Sequence, residues 1–206
     1  MLRRLAPLAL IVACTARPAE RPTADSVATG PSADSVAAHP GTVVVADSAN
    51  AAALARMRAR LGPPPAHVAG FRSRDSLVAA FARAVDDHDS TALRALALTV
   101  EEFAYLYYPD APLAQPPYEL DPETMWLQIG AESDRGATRT LARYGGHLGL
   151  VSYRCEPAAR VSGAVTLWNA CTVTHRSAAR QVTEPLFGSI LERDGWYKFV
   201  GLSNRL

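Results

Sequence analysis

Lysine is nearly missing from this chain: Lys198 is the only one, and arginine supplies the rest of the positive charge. With 21 basic against 20 acidic side chains the formal net charge is +1, so there is no surplus of the kind that draws a protein onto nucleic acid. Long apolar runs are also missing. The longest candidate, Leu5–Ala13 with Pro7 inside it, falls well short of the roughly 20 residues that span a bilayer. Signature motifs for catalysis are absent too. No Gly-x-Ser-x-Gly elbow, phosphate-cradling glycine loop or His-Glu-x-x-His pair occurs, so neither a cofactor nor an enzyme class is specified.

What is present begins with an export signal. Met1-Leu2-Arg3-Arg4 is a basic start, Leu5–Ala13 is the short apolar region, and Ile11-Val12-Ala13-Cys14 closes it. This tetrapeptide resembles the bacterial lipobox, with an aliphatic residue, a tolerant position and a small residue before cysteine. The resemblance implies cleavage before Cys14, diacylglycerol on its sulfur and acylation of the new amino group. Two or more acyl chains anchor stably to a lipid bilayer. In a diderm host, Thr15 in place of Asp after Cys14 directs the anchored chain to the outer membrane, facing the periplasm. Losing residues 1–13 removes Arg3 and Arg4 and leaves 19 basic against 20 acidic groups.

Residues 14–69 form the lipidated cysteine and an Ala/Pro/Ser-rich linker that carries Ala-Asp-Ser-Val-Ala twice, at 24–28 and 33–37. Too little bulky apolar surface offsets its ordering entropy, so it reads as a disordered tether with a reach of about 40 Å. Within it, Leu54, Met57 and Leu61 share one helical face beside Arg56, Arg58 and Arg60. That segment is either a basic amphipathic turn on anionic lipid or a helix docked on the domain.

The domain expected over 70–206 is α+β. Ser73 caps a helix bearing Leu77, Phe81, Ala84 and Val85; Asp89 or Ser90 starts a short second one with Leu93 and Leu96. Thr99 and Glu102 make a capping-box pattern ahead of Phe103, Leu106 and Tyr107, stopped near Pro109. Asp121-Pro122 begins a fourth helix that runs to Gly145-Gly146. Four strands follow, at 148–155, 165–175, 182–191 and 196–202, with Asp194-Gly195 as a hairpin turn. Pro185 and Gly188 in the third strand predict an edge, bulge or bend. This element order, with a first helix breaking at an acidic cluster into a second that carries Leu93 and Leu96, resembles the nuclear-transport-factor-2-like, or SnoaL-like, cone. The resemblance implies a curved four-stranded antiparallel sheet that encloses a pocket with the helices, used for catalysis in some members and for binding in others.

Cys155 and Cys171 fall on neighbouring expected strands in an oxidising compartment, and a bridge between them is expected over two free thiols. It is worth about 3 kcal/mol through loop closure. Asp86-Asp87-His88-Asp89 reads as a solvated helix end rather than a metal site, because its side chains splay around the axis. His147 and His175 each qualify as a base only if a carboxylate converges on them. Tyr105, Tyr107, Tyr108, Pro116, Pro117, Tyr118 and Trp126 are either core or the rim of a pocket. Tyr108, Tyr118 and Trp126, with Arg135 as an anion contact, are the candidate ligand residues.

The expected function is a membrane-anchored, non-enzymatic module for a small molecule or envelope partner. The alternatives are a cone-fold enzyme of the isomerase or cyclase kind and an envelope protein with a filled core. Replacing Cys14 with Ser should move the protein from the membrane pellet to the supernatant when cell extracts are ultracentrifuged. Unchanged pelleting contradicts the anchor.

Overall fold

The computed structural model describes residues 41–177 and 180–203. Cys14, the signal peptide and the repeated Ala-Asp-Ser-Val-Ala segments lie outside these residues. The described chain is α+β, with helices followed by two antiparallel sheets.

Order starts earlier than the composition suggests. Helix α1 spans Gly41–Ala59, and Ala53, Met57 and the downstream Val68 are buried. A disordered tether extending to residue 69 is therefore corrected, and of the two readings of the 50–61 segment the docked helix holds. Met57, Leu54 and Leu61 pack against the domain's apolar interior, and polar contacts add to this attachment. Asn50 Nδ2 donates to Glu119 O at 2.7 Å, and the Arg58 guanidinium donates to Ala104 O at 3.0 and 2.7 Å. Arg60, rather than facing lipid, pairs with Glu123 at 2.5 Å.

The next helices follow their caps. In α2, Arg74–Asp86, Ser73 accepts the Ser76 amide; in α3, Ser90–Ala95, Asp89 accepts those of Thr91 and Ala92. Helix α4, Val100–Glu102, has the full Thr99/Glu102 capping box. It then departs from expectation, widening into a π-helical turn at Phe103–Tyr107 and tightening at Tyr108–Asp110. Phe103 and Tyr107 are buried as expected, but Leu106 is only half-buried. Proline is the cause: Pro109 has no N–H, and the Tyr108 amide turns to Phe103 O, so Ala104 O loses its helical donor. Arg58 supplies it. Helix α5, Pro122–Tyr144, begins at the Asp121 cap with Pro122 in its first turn.

The sheet is the main correction. Strands β1 (Leu150–Arg154), β4 (Thr172–Ser177) and β5 (Arg180–Glu184) form one antiparallel sheet in the order β1-β4-β5. Strands β2 (Arg160–Ser162), β3 (Val165–Trp168), β6 (Ile190–Arg193) and β7 (Trp196–Phe199) form another in the order β2-β3-β6-β7. The two expected strands 165–175 and 182–191 are each broken in the middle, so one long hairpin feeds both sheets. Its last pair on one side is Trp168 with Ile190, and its first on the other is Val173 with Glu184. Pro185, unable to donate, sits at one break, and Ala170 at the other has φ +46. The Asp194-Gly195 turn forms as expected, both residues having positive φ.

Two apolar clusters fill the interior. One packs α2, α3 and the C-terminal half of α5 on Val173, Phe187, Ile190 and Phe199; the other packs α1, the π turn and the N-terminal half of α5 on β3 and β6. A buried ion pair ties the layers together: Lys198 Nζ lies 2.7 Å from Glu102 Oε2, with both side chains 3% exposed. Glu102 also accepts the amides of Thr99 at 2.8 Å and Ala69 at 2.6 Å.

Removing one partner of such a pair strands a buried charge, at a cost of about 3 to 5 kcal/mol. Chemical denaturation of Lys198→Met should show a loss of this size, and adding Glu102→Gln should recover part of it. Strict additivity of the two losses would contradict the coupling.

Candidate functional site

A cleft of about 410 Å³ opens where the hairpin bends. Helix α5 contributes Met125, Gln128 and Ile129, β3 contributes Leu167, and the two breaks contribute Asn169–Cys171 and Phe187–Ser189. Ala170 and Gly188 leave backbone open at the bend, and one side-chain and one backbone hydrogen bond hold it in shape. Ser189 Oγ donates to Asn169 Oδ1 at 2.7 Å, and the Gly188 amide donates to Gly201 O at 3.1 Å. The expected disulfide is present: Cys155 and Cys171 are bonded at 2.02 Å with their Cα atoms 3.9 Å apart. Because Arg154 pairs with Thr172, the bridge continues the β1–β4 register by one step and fastens the bend to the neighbouring strand.

Beside Gln128, Asn169, Ser189 and Ser203, two further polar side chains, Tyr107 and Arg160, line the cleft. Tyr107, 7% exposed, lines it, and its hydroxyl makes no hydrogen bond among the described residues. Burial pushes this phenol up to about 12, with the nearby charge of Arg160 acting in the opposite direction. At neutral pH it is a hydrogen-bond donor. Arg160, on the edge strand β2, borders the same cleft from an exposed position and has no ion-pair partner among the described residues.

A second constellation lies toward the C-terminal end of α5. Glu184 Oε1 accepts the Tyr144 hydroxyl and lies 2.9 Å from His175 Nε2, while Glu184 Oε2 lies 2.9 Å from Arg143 Nη1. His175 is 1% exposed, packs edge-on to the Tyr144 ring, and has its Nδ1 buried without a partner. Burial alone would raise the Glu184 pKa, but the hydrogen bonds from Tyr144 and His175 and the charge of Arg143 bring it below the usual carboxylate value. Tyr144 rises to about 12 through burial and through its bond to Glu184. A carboxylate so engaged is a weak base at neutral pH, and its work is to clamp β5 to β4 and α5.

The four candidate ligand residues are not brought together. Tyr108 is buried and donates to Leu120 O at 2.8 Å; Tyr118 is 65% exposed. Trp126 packs on Phe103 beside a different groove, between α1 and α5. Arg135 pairs with Glu132, and nine residues of helix put it on the opposite face from Trp126. Of the histidines, His147 is exposed and His175 meets a carboxylate. The acidic cluster divides its work: Asp86 accepts the Leu148 amide and Asp89 caps α3. No group of metal-ligating side chains is found among the described residues. Arg160 carries no sequence signal, and Tyr107 reads as core.

No family model matches the chain, and no curated protein or solved structure shows significant similarity to it.

The Glu184 clamp carries a pH signature. A carboxylate whose folded pKa is depressed contributes stability above its unfolded value, near 4.5, and loses it as pH falls through the lower folded value. Melting temperature should therefore drop less steeply below pH 4.5 in Glu184→Gln than in the parent protein. Parallel curves would contradict the clamp.

Proposed function

We propose that this is a lipid-anchored envelope protein whose body, a cone of the nuclear-transport-factor-2-like kind over residues 70–206, binds a small organic molecule in the cleft beneath α5. The carrying observation is the cleft itself: an apolar floor of Met125, Ile129, Leu167, Phe187 and Val200 beside the Tyr107 hydroxyl, which makes no hydrogen bond among the described residues. Concave apolar sites with a few converging polar groups are the usual form of a ligand site. Its volume, about 410 Å³, is at the small end of the roughly 300–1,000 Å³ such sites occupy. Helices before strands and a hairpin bent in mid-length support the cone reading. Fold alone assigns no activity.

The competing acid–base enzyme has Tyr144, Glu184 and His175 in its favour: Tyr144 and Glu184 flank a groove of about 510 Å³ that also holds Arg139 and Thr140, and the buried His175 lies 2.9 Å from Glu184. The depressed Glu184 pKa weighs against a base there.

The neutral fluorophore N-phenyl-1-naphthylamine tests the cleft. The full-length Cys14→Ser protein, free of detergent, should take it up saturably at one site. Gln128→Trp, an exposed rim position of the cleft, should weaken uptake about tenfold by filling the mouth, a loss of about 1.4 kcal/mol. Leu127→Ser, in the groove between α1 and α5, should leave it unchanged. Absence of saturable uptake, or loss in Leu127→Ser alone, overturns the assignment.

A further inference from the structure

The ends of the cleft differ. Met125, Ile129, Leu167, Phe187 and Val200 make an apolar floor with Asn169, Ser189 and Ser203 at the bend, and β2 and the π turn add Arg160 and Tyr107. That the Arg160 charge acts on the Tyr107 phenol places the two within electrostatic reach of one another. The Tyr107 side chain is 7% exposed and lines the cleft, and its hydroxyl, with no hydrogen bond among the described residues, is a donor open to an acceptor there. The adjacent carboxylates are already committed. Asp110 binds Arg193 at 2.9 Å, and Glu192 accepts the Gly195 amide at 2.8 Å. A guanidinium left without a carboxylate beside a donor hydroxyl suits an oxyanion, to which both groups donate charge-assisted hydrogen bonds.

We infer that the cleft takes an amphipathic organic carboxylate of medium chain length, its head held by Arg160 and Tyr107 and its chain laid along Ile129, Leu167, Phe187 and Val200. This rests on the cleft being the ligand site and adds the class of ligand. The head lies at the rim, where a guanidinium stays hydrated until a partner arrives, and the chain enters the apolar floor. Selection follows from the pairing of the two. A small inorganic anion leaves the floor unfilled, and a neutral chain leaves Arg160 without its counter-charge.

The test displaces bound N-phenyl-1-naphthylamine with decanoate and with 1-decanol, two ligands that share a chain and differ in charge. Decanoate should displace the dye at about one-tenth the concentration of decanol, as a charge-assisted pair at a hydrated rim supplies. Arg160→Gln should abolish that preference and Tyr107→Phe should reduce it, the preference being the ratio of decanol to decanoate concentrations needed to displace the dye from the same variant, whatever that variant's own dye affinity. Arg160 is exposed, so its replacement does not disturb folding. If the dye binds but decanol equals or exceeds decanoate, or if the preference survives Arg160→Gln, the carboxylate assignment falls while the cleft stands. If the dye does not bind at all, the cleft falls and the inference with it.

Discussion

The bend in the long hairpin is the constraint on which the rest depends. Between its paired halves, residues 169–172 on one arm face 185–189 on the other, and arms of unequal length cannot continue as a regular ladder. The mismatch turns the strands. One half then pairs with β1, the other with β2 and β7, and the concavity between them is the cleft. Pro185 withholds a ladder donor, Asn169 and Ser189 bond across the gap, and the Cys155–Cys171 bridge fixes one arm to β1.

A second group of interactions holds the helices over that bend. The Glu102 carboxylate serves a local purpose in its capping box and two distant ones, accepting the Ala69 amide and pairing with Lys198 on β7. The one lysine of the chain is thus spent in the interior, where an ammonium is costly unless fully paired. Arginines repair the irregular helix beyond it. Arg58 takes Ala104 O, and Arg193 takes Leu106 O at 2.6 Å and Asp110. The π turn, an irregularity that costs helical hydrogen bonds, also carries Tyr107 to the cleft.

Local grammar was legible in the sequence and remote geometry was not. Ser73, Asp89, Thr99 with Glu102, and Asp121 with Pro122 each satisfy amides within three residues, so their caps are readable from the chain alone. The cysteine pair was readable from number and compartment. The break at Asn169–Cys171 contains neither glycine nor proline and gives no such sign. The polar contacts that help dock α1 span 46 and 69 residues, and the Glu102–Lys198 pair spans 96. His175 meets Glu184 because His175 is paired with Val182, which makes Glu184 a diagonal cross-strand neighbour. A hairpin at 177–180 would have disclosed it. The aromatic passage misled for a related reason: abundance of Tyr and Trp marks packing as readily as binding, and these side chains turn to different faces.

The most direct measurement is residue-resolved NMR of the labelled protein titrated with N-phenyl-1-naphthylamine, read as chemical-shift changes. The bend as the organiser of the site predicts saturable shifts at Ile129, Leu167, Phe187, Gly188 and Val200, with the α1–α5 groove unperturbed. Shifts concentrated at Trp126, Leu127 and Gly130, with the bend silent, would contradict it.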